Sequence, residues 1–136
     1  LLENLLPWAK LQMQGGISQN ISHISVDDVI EELMAIYSPL ANEKNITLIA
    51  NTPTNYHVLA DRNFLLLILR NLVNNAIKFT PQKGTVQIEI TDEQTHVTFK
   101  VCDSGIGIPP NDVDKINSNE SFTRFGTSNE KGSGLG

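Results

Sequence analysis

A single cysteine, Cys102, stands in 136 residues, which removes an internal disulfide framework from consideration. It ends a strand-like run and reads as a small core residue. The three histidines, His23, His57 and His96, are scattered and form no Cys–His cluster, so a zinc site is not expected. The longest wholly apolar run is 64–69, far short of the roughly 20 residues that span a bilayer. No signal-peptide pattern is present. Basic residues are outnumbered, 10 Lys and Arg against 15 Asp and Glu, for a net charge of −5. Non-specific nucleic-acid binding and anionic-membrane binding both require clustered cations, so neither is expected. A reducing cytoplasm fits these features best. Walker loops (GxxxxGK[ST]) and dinucleotide fingerprints (GxGxxG between strand and helix) are also missing.

What remains is ordinary globular protein. Apolar residues make up 40% and charged residues 18%, which suits one packed domain and argues against disorder. Residues 1–14, LLENLLPWAKLQMQ, predict a helix with Leu2, Leu5, Leu6, Ala9 and Met13 on one stripe. Pro7 kinks or starts it, and the glycines at 15 and 16 stop it. Such a stripe is too apolar for a lone surface helix and calls for another helix to pack on. ISQNISHIS then reads as a polar extended connector. A second helix is predicted from 26 to about 42, with Ser25 as N-cap and Asp27 and Asp28 at the positive end of its dipole. Short strands are expected at 45–50 and 57–60 around the turn residues NTPTN. Asp61 caps a third helix over 62–79. TPQKG is a turn, and 85–91 with 96–103 alternate as a β-hairpin. The order predicts an α+β fold, a two-layer α/β sandwich in which helices cover one face of a mixed, largely antiparallel sheet.

Three motifs carry chemistry. On the third helix Leu65, Leu69, Leu72, Ala76 and Phe79 form an apolar stripe. Asn71, Asn75 and Lys78 share a second, narrow stripe about a quarter turn away. That second stripe is either a solvated face or a set of amide oxygens for a hard cation such as magnesium, with Lys78 meeting a phosphate as a point charge. DSGIGIP, 103–109, follows a strand. Gly105 and Gly107 permit positive φ and close backbone approach. Asp103 would repel phosphate, so it suits a ligand donor such as the exocyclic amino group of adenine. A plain tight turn is the alternative. KGSGLG, 131–136, either makes an anion site from backbone amides or is a glycine-rich tail.

In this order, Asn-xxx-Asn-xx-Lys-Phe, then DxGxG, then FTRFGTSNEKGSGLG, the chain resembles the ATP-binding catalytic domain of sensor histidine kinases. That family shares a superfamily with DNA gyrase, heat-shock chaperone and mismatch-repair ATPases. The resemblance covers about 26–136. It implies that residues 1–20 are the end of a dimerisation and phosphoacceptor helix plus connector. Residues 21–136 would be the catalytic domain, truncated at its last glycine box. Residue by residue it implies Asn75 as principal magnesium ligand, with Asn71 beside it on metal or phosphates. Lys78 would approach a phosphate, and Phe79 would cover the adenine where many relatives carry Tyr. Asp103 would read the adenine amino group, with Gly105, Ile106 and Gly107 lining that backbone approach. Gly132, Gly134 and Gly136 match the glycine box, and Phe122 and Phe125 resemble the aromatic pair of a mobile lid over about 111–133.

The implied cofactors are ATP and magnesium. The implied enzyme is a protein histidine kinase, inactive as this fragment alone. Its implied partners are the dimerisation helices of the same protein, in a homodimer, and a response-regulator receiver domain, with no nucleic acid. None of the three histidines lies before Glu or Asp on a helix, as the family's phosphoacceptor does, so the acceptor is expected upstream. In the superfamily's ATPases a glutamate four residues before the metal-binding Asn activates water. Asn71 holds that position here, and an amide is no general base. Two other readings remain: a nucleotide-binding or interaction module that transfers nothing, or a serine kinase of the same superfamily.

Overall fold

The computed structural model describes residues 20–52, 55–93, 96–110, 113 and 126–128. Among these described residues, five strands and two long helices run in the order β1 (Ile21–Ser25), α1 (Val26–Glu43), β2 (Thr47–Asn51), β3 (His57–Asp61), α2 (Arg62–Phe79), β4 (Thr85–Asp92) and β5 (Val97–Asp103). The helix expected over 1–14 lies outside the described residues.

Both helices start where their caps dictate. The Ser25 hydroxyl accepts from the backbone N–H of Asp28 at 3.2 Å, satisfying a donor that the first turn leaves unpaired. The Asp61 carboxylate caps α2 by accepting from Asn63 N–H at 2.9 Å and Phe64 N–H at 3.2 Å. Its second oxygen accepts from Asn20 N–H at 2.8 Å, which fastens the entry of β1 beside the start of α2. These N–H donors, Asn20 first, hold the Asp61 carboxyl below its ordinary pKa.

The strands form two sheets. β1 pairs antiparallel with β3, Ile21 opposite Asp61 and Ser25 opposite His57. In the second sheet β4 is central, parallel to β2 and antiparallel to β5. The α+β fold with mixed strand pairing is as expected. The supposed connector is the difference, because 21–25 is a strand. Only Ile24 of β1 is buried, so the segment carries no alternation by which to recognise it. Val86, Ile88 and Ile90 of β4 are buried and belong to the same core cluster as residues of both helices. On the outer face Glu89 and Lys100 sit opposite each other in register and pair at 3.4 Å.

The core joins Val29, Ile30 and Leu33 of α1 to Leu66, Leu69, Val73 and Ala76 of α2. Thus the buried stripe of α2 is 66, 69, 73, 76 and 77, turned from the expected 65, 69, 72, 76 and 79. Leu72 is 43% exposed and Ile68 56%. Asn71, Asn75 and Lys78 lie off this buried stripe and are each half-buried. Glu32 of α1 fixes the two helices further, pairing with Arg62 at 2.7 Å and with Arg70. Tyr37 O–H, two-thirds of the way along α1, donates to the Arg70 carbonyl at 3.1 Å. Burial raises the pKa of this phenol.

Candidate nucleotide site

The C-terminal end of α2 is where the chemistry-bearing residues meet. Asn71, Asn75 and Lys78 are each partly exposed and recur at the four- and three-residue spacing that stacks side chains on one helix face. The Lys78 ammonium lies 4.9 Å from the centroid of the Phe79 ring, within the range of a cation–π contact. A positive charge and an aromatic surface therefore share the last turn of the helix.

Beyond β5 the chain folds back onto that turn. Asp103 ends the strand, and one of its carboxylate oxygens accepts from Gly105 N–H at 2.8 Å, closing an Asx-turn. Ile106 N–H then donates to the Phe79 carbonyl at 3.2 Å. Gly105 is the only residue type that fits between them. A Cβ there would lie 2.5 Å from the Asp103 carboxylate and 2.6 Å from the Phe79 carbonyl oxygen. Gly107 answers a different need, since it has a φ of +67° in open space. Ile106 and Ile108 are left exposed, at 55% and 58%, beside an exposed Asp103.

The turn below is equally tight. Thr80, fully buried, donates its hydroxyl proton to the Ala76 carbonyl at 2.7 Å. Gly84 has no room for a Cβ, which would come within 2.3 Å of the Thr80 methyl. Ser104 Oγ accepts from Thr85 N–H at 2.9 Å, and Ser104 N–H donates to the Thr85 carbonyl at 3.0 Å. The segment after Asp103 is thereby held at the start of β4.

Of the residues singled out in the sequence, Lys78, Phe79, Asp103, Gly105 and Ile106 come together here, with Gly107 following in the same loop. Asn75 and Asn71 lie one and two turns back along α2. Gly132, Gly134 and Gly136, with Phe122, Phe125 and most of 111–133, fall outside the described residues. Two concavities lie elsewhere. One, lined by Asn51, Tyr56, Ile90 and Asp92 among others, is at the opposite end of the sheet. The other lies between β1, β3 and the start of α2, at Ile21, Asp61, Phe64 and Ile68.

Three participants escaped the sequence reading. Lys44, just past α1, donates its ammonium to the carbonyls of Ile77 at 2.9 Å and Lys78 at 2.8 Å. Thr127 donates its N–H to the Lys78 carbonyl at 3.0 Å, and its hydroxyl contacts the carbonyls of Lys78 and Thr80 at 3.2 and 2.9 Å. Thr80 is the third. Only Thr80 carried a signal, a hydroxyl residue one position past a helix.

Residues 60–136 match the family described as histidine kinase-, DNA gyrase B-, and HSP90-like ATPases, and the chain belongs to that family. Within that family it is similar to sensor histidine kinases. It is 34% identical to the sensor protein CreC of Escherichia coli (strain K12), over all of this chain and 28% of CreC. Its fold is similar to histidine kinase ThkA, solved in complex with response regulator protein TrrA. The TM-score is 0.73 at 29% identity, covering 93% of this chain and 39% of that one. Full-length ShkA, solved in complex with AMPPNP, gives a TM-score of 0.72 at 28% identity, covering 97% of this chain and 27% of that one. The chain spans about a quarter of the length of the curated relatives it matches. No helix among the described residues is long and apolar enough to cross a membrane.

Proposed function

We propose that residues 21–136 bind ATP across the end of α2 and present its γ-phosphate to a histidine of dimerisation helices, to which residues 1–20 lead. The observation that carries this reading is the fold-back of Asp103–Ile106 onto Phe79. It brings a carboxylate able to accept from the adenine amino group beside the turn that bears Lys78. Asp103 then selects the base, Phe79 and Ile106 give it apolar surface, and Lys78 meets a phosphate. Gly132, Gly134 and Gly136 supply backbone donors to the phosphates.

Magnesium fits the donor set. Asn71 and Asn75 are neutral oxygen donors spaced one turn apart. Among the described residues no group of three His, Cys, Asp or Glu offers a rival cluster. A hard cation that keeps several waters and shares phosphate oxygens needs few protein ligands. Bound there, it would neutralise charge on the triphosphate. The chain's own contribution is positioning and charge stabilisation, since a neutral imidazole nitrogen already carries its lone pair. That nitrogen attacks the γ-phosphorus, the bond to the β,γ-bridging oxygen breaks, and ADP leaves with the electron pair. A response-regulator receiver domain would take the phosphoryl group onward. The similarity to ThkA, whose complex contains such a regulator, supports this partner.

His23 lies in β1, His57 opens β3 and His96 immediately precedes β5. None is on a helix, which supports an acceptor elsewhere. The test supplies labelled ATP and dimerisation helices in trans. Acid-labile label on the added helices is expected. Label on His23, His57 or His96 of the isolated chain would contradict the division of roles.

A further inference from the structure

An α-helix leaves its last carbonyls without partners inside it, and those carbonyls give its C-terminus a charge of roughly −0.5. Helix α2 ends in this way at the turn that bears Lys78 and Phe79. Its cap residue is Thr80, in extended conformation, whose N–H returns to the Ala76 carbonyl at 3.0 Å. The next three carbonyls are met from elsewhere in the chain. Lys44 Nζ donates to Ile77 at 2.9 Å and to Lys78 at 2.8 Å. Ile106 N–H takes the Phe79 carbonyl at 3.2 Å, and Thr127 also reaches that of Lys78. Lys44 is itself held in place, since it caps α1 and the residues after it bond to the turn after α2. There the Asn45 carbonyl accepts from Lys83 N–H at 2.8 Å, and Thr47 N–H donates to the Gly84 carbonyl at 2.9 Å.

We propose that Lys44 is a positioning residue for the nucleotide phosphates: its ammonium offsets the negative end of α2 and fixes the turn from which Lys78 reaches them. A triphosphate at the C-terminal end of a helix meets the wrong pole of the dipole, since anions favour the other end. Lys78 alone would have to work against that pole. A second ammonium, seated on the carbonyls themselves, cancels much of it without touching the ligand. Lys44 therefore acts through the helix end, and its contribution grows with the negative charge of the ligand. The base side of the site is fastened differently. Asp103 is joined to Phe79 through Gly105 and Ile106, so adenine recognition does not need the Lys44 charge.

This rests on the ATP-site reading above, and the experiment separates the two. Affinities for ATP with magnesium, and for adenosine, are measured by calorimetry on the 136-residue chain and on its Lys44→Met and Lys44→Arg variants. Methionine keeps the apolar stem and loses the charge, whereas arginine keeps both the charge and N–H donors. We expect Lys44→Met to bind ATP about two- to fivefold more weakly, the size of a charge–dipole contribution at a helix end. Adenosine carries no phosphate and should bind both variants as it binds the parent. Lys44→Arg should retain most of the ATP affinity. Lys44→Gln keeps an N–H donor without the charge, and is read in the same way if the methionine variant does not fold. Equal weakening toward both ligands would mean that Lys44 only holds the fold together. ATP affinity unchanged in Lys44→Met, or lost equally in Lys44→Arg, would mean that its charge is not felt at the phosphates. Each of these results overturns the proposal. Failure of the unmutated chain to prefer ATP over GTP would instead overturn the site reading, and the proposal with it.

Discussion

The backbone N–H of Ile106 donates to the carbonyl oxygen of Phe79 at 3.2 Å. Through that bond the loop after β5 and the last turn of α2 become one surface. Two sequence motifs separated by more than twenty residues meet there because Gly105 has no side chain to hold them apart.

Gly105→Ala should therefore damage the site more than Gly107→Ala. The first puts a Cβ against a backbone carbonyl that cannot rotate away, at an expected cost of about 1–3 kcal/mol. The second meets only the strain of positive φ, about 1–2 kcal/mol, with nothing nearby to displace. Thermal melts and ATP titrations of both variants check this. Equal loss of ATP binding in the two would contradict it.

Asp103→Asn isolates base reading from loop geometry. The amide oxygen can still accept from Gly105 N–H, so the turn and the melting temperature should be preserved. Its amino group, however, opposes the adenine amino group. Loss of a charge-assisted hydrogen bond should weaken ATP binding by about 1.5–3 kcal/mol, as read by calorimetry. A variant that binds ATP as tightly as the parent would show that Asp103 does not contact the base.

Glu32 predicts an acid limb of stability. The hydrogen bond from Arg62 lowers its carboxyl pKa below 4.5. Burial opposes that shift, and the bond from Arg70 reinforces it. With the folded value below the unfolded one, the unfolded state binds more protons in acid. The contribution is thus fully present above the ordinary carboxylate range and disappears as pH falls through the lowered value. Urea denaturation of the parent and Glu32→Gln should show a gap at neutral pH that narrows on acidification. A gap that widens in acid would reverse the sign of this linkage.

Asn71 predicts slow hydrolysis of ATP by the isolated chain. A placed general base contributes roughly 10²–10⁴-fold, and Asn71→Glu could supply one. The new charge would also repel the phosphates, so the gain in phosphate release should stay well below ~10²-fold. Rapid hydrolysis by the unmutated chain would mean that another residue activates water.

Helix α2 and the β4–β5 hairpin were legible because their signals are local: the Asp61 cap, the turn residues 80–84 and the strand alternation. The facing of α2 was not. Residues 64–69 are apolar without a break, so two stripes sharing Leu69 and Ala76 are equally periodic, and only packing chooses between them. β1 was missed because its partner β3 is far along the chain and only Ile24 is buried. Pairing of β2 with β4 crosses the whole of α2, which no short-range pattern records. The grip of Lys44 and Thr127 on α2's last carbonyls has no sequence signature either, since any ammonium or hydroxyl can serve. The Gly105 position, by contrast, is dictated by backbone clearance, which leaves no room for a side chain beside the Phe79 carbonyl.

Calorimetric titration of the unmutated chain with ATP and GTP, each with magnesium and with a chelator, bears most directly on the nucleotide site. ATP should bind more tightly than GTP, because Asp103 accepts from an amino group that guanine does not present at that position. Removing magnesium should weaken ATP binding, because Asn71 and Asn75 would lose the cation through which they hold the triphosphate. Equal affinity for the two nucleotides, or binding indifferent to magnesium, would contradict the site built here from α2 and the Asp103 loop.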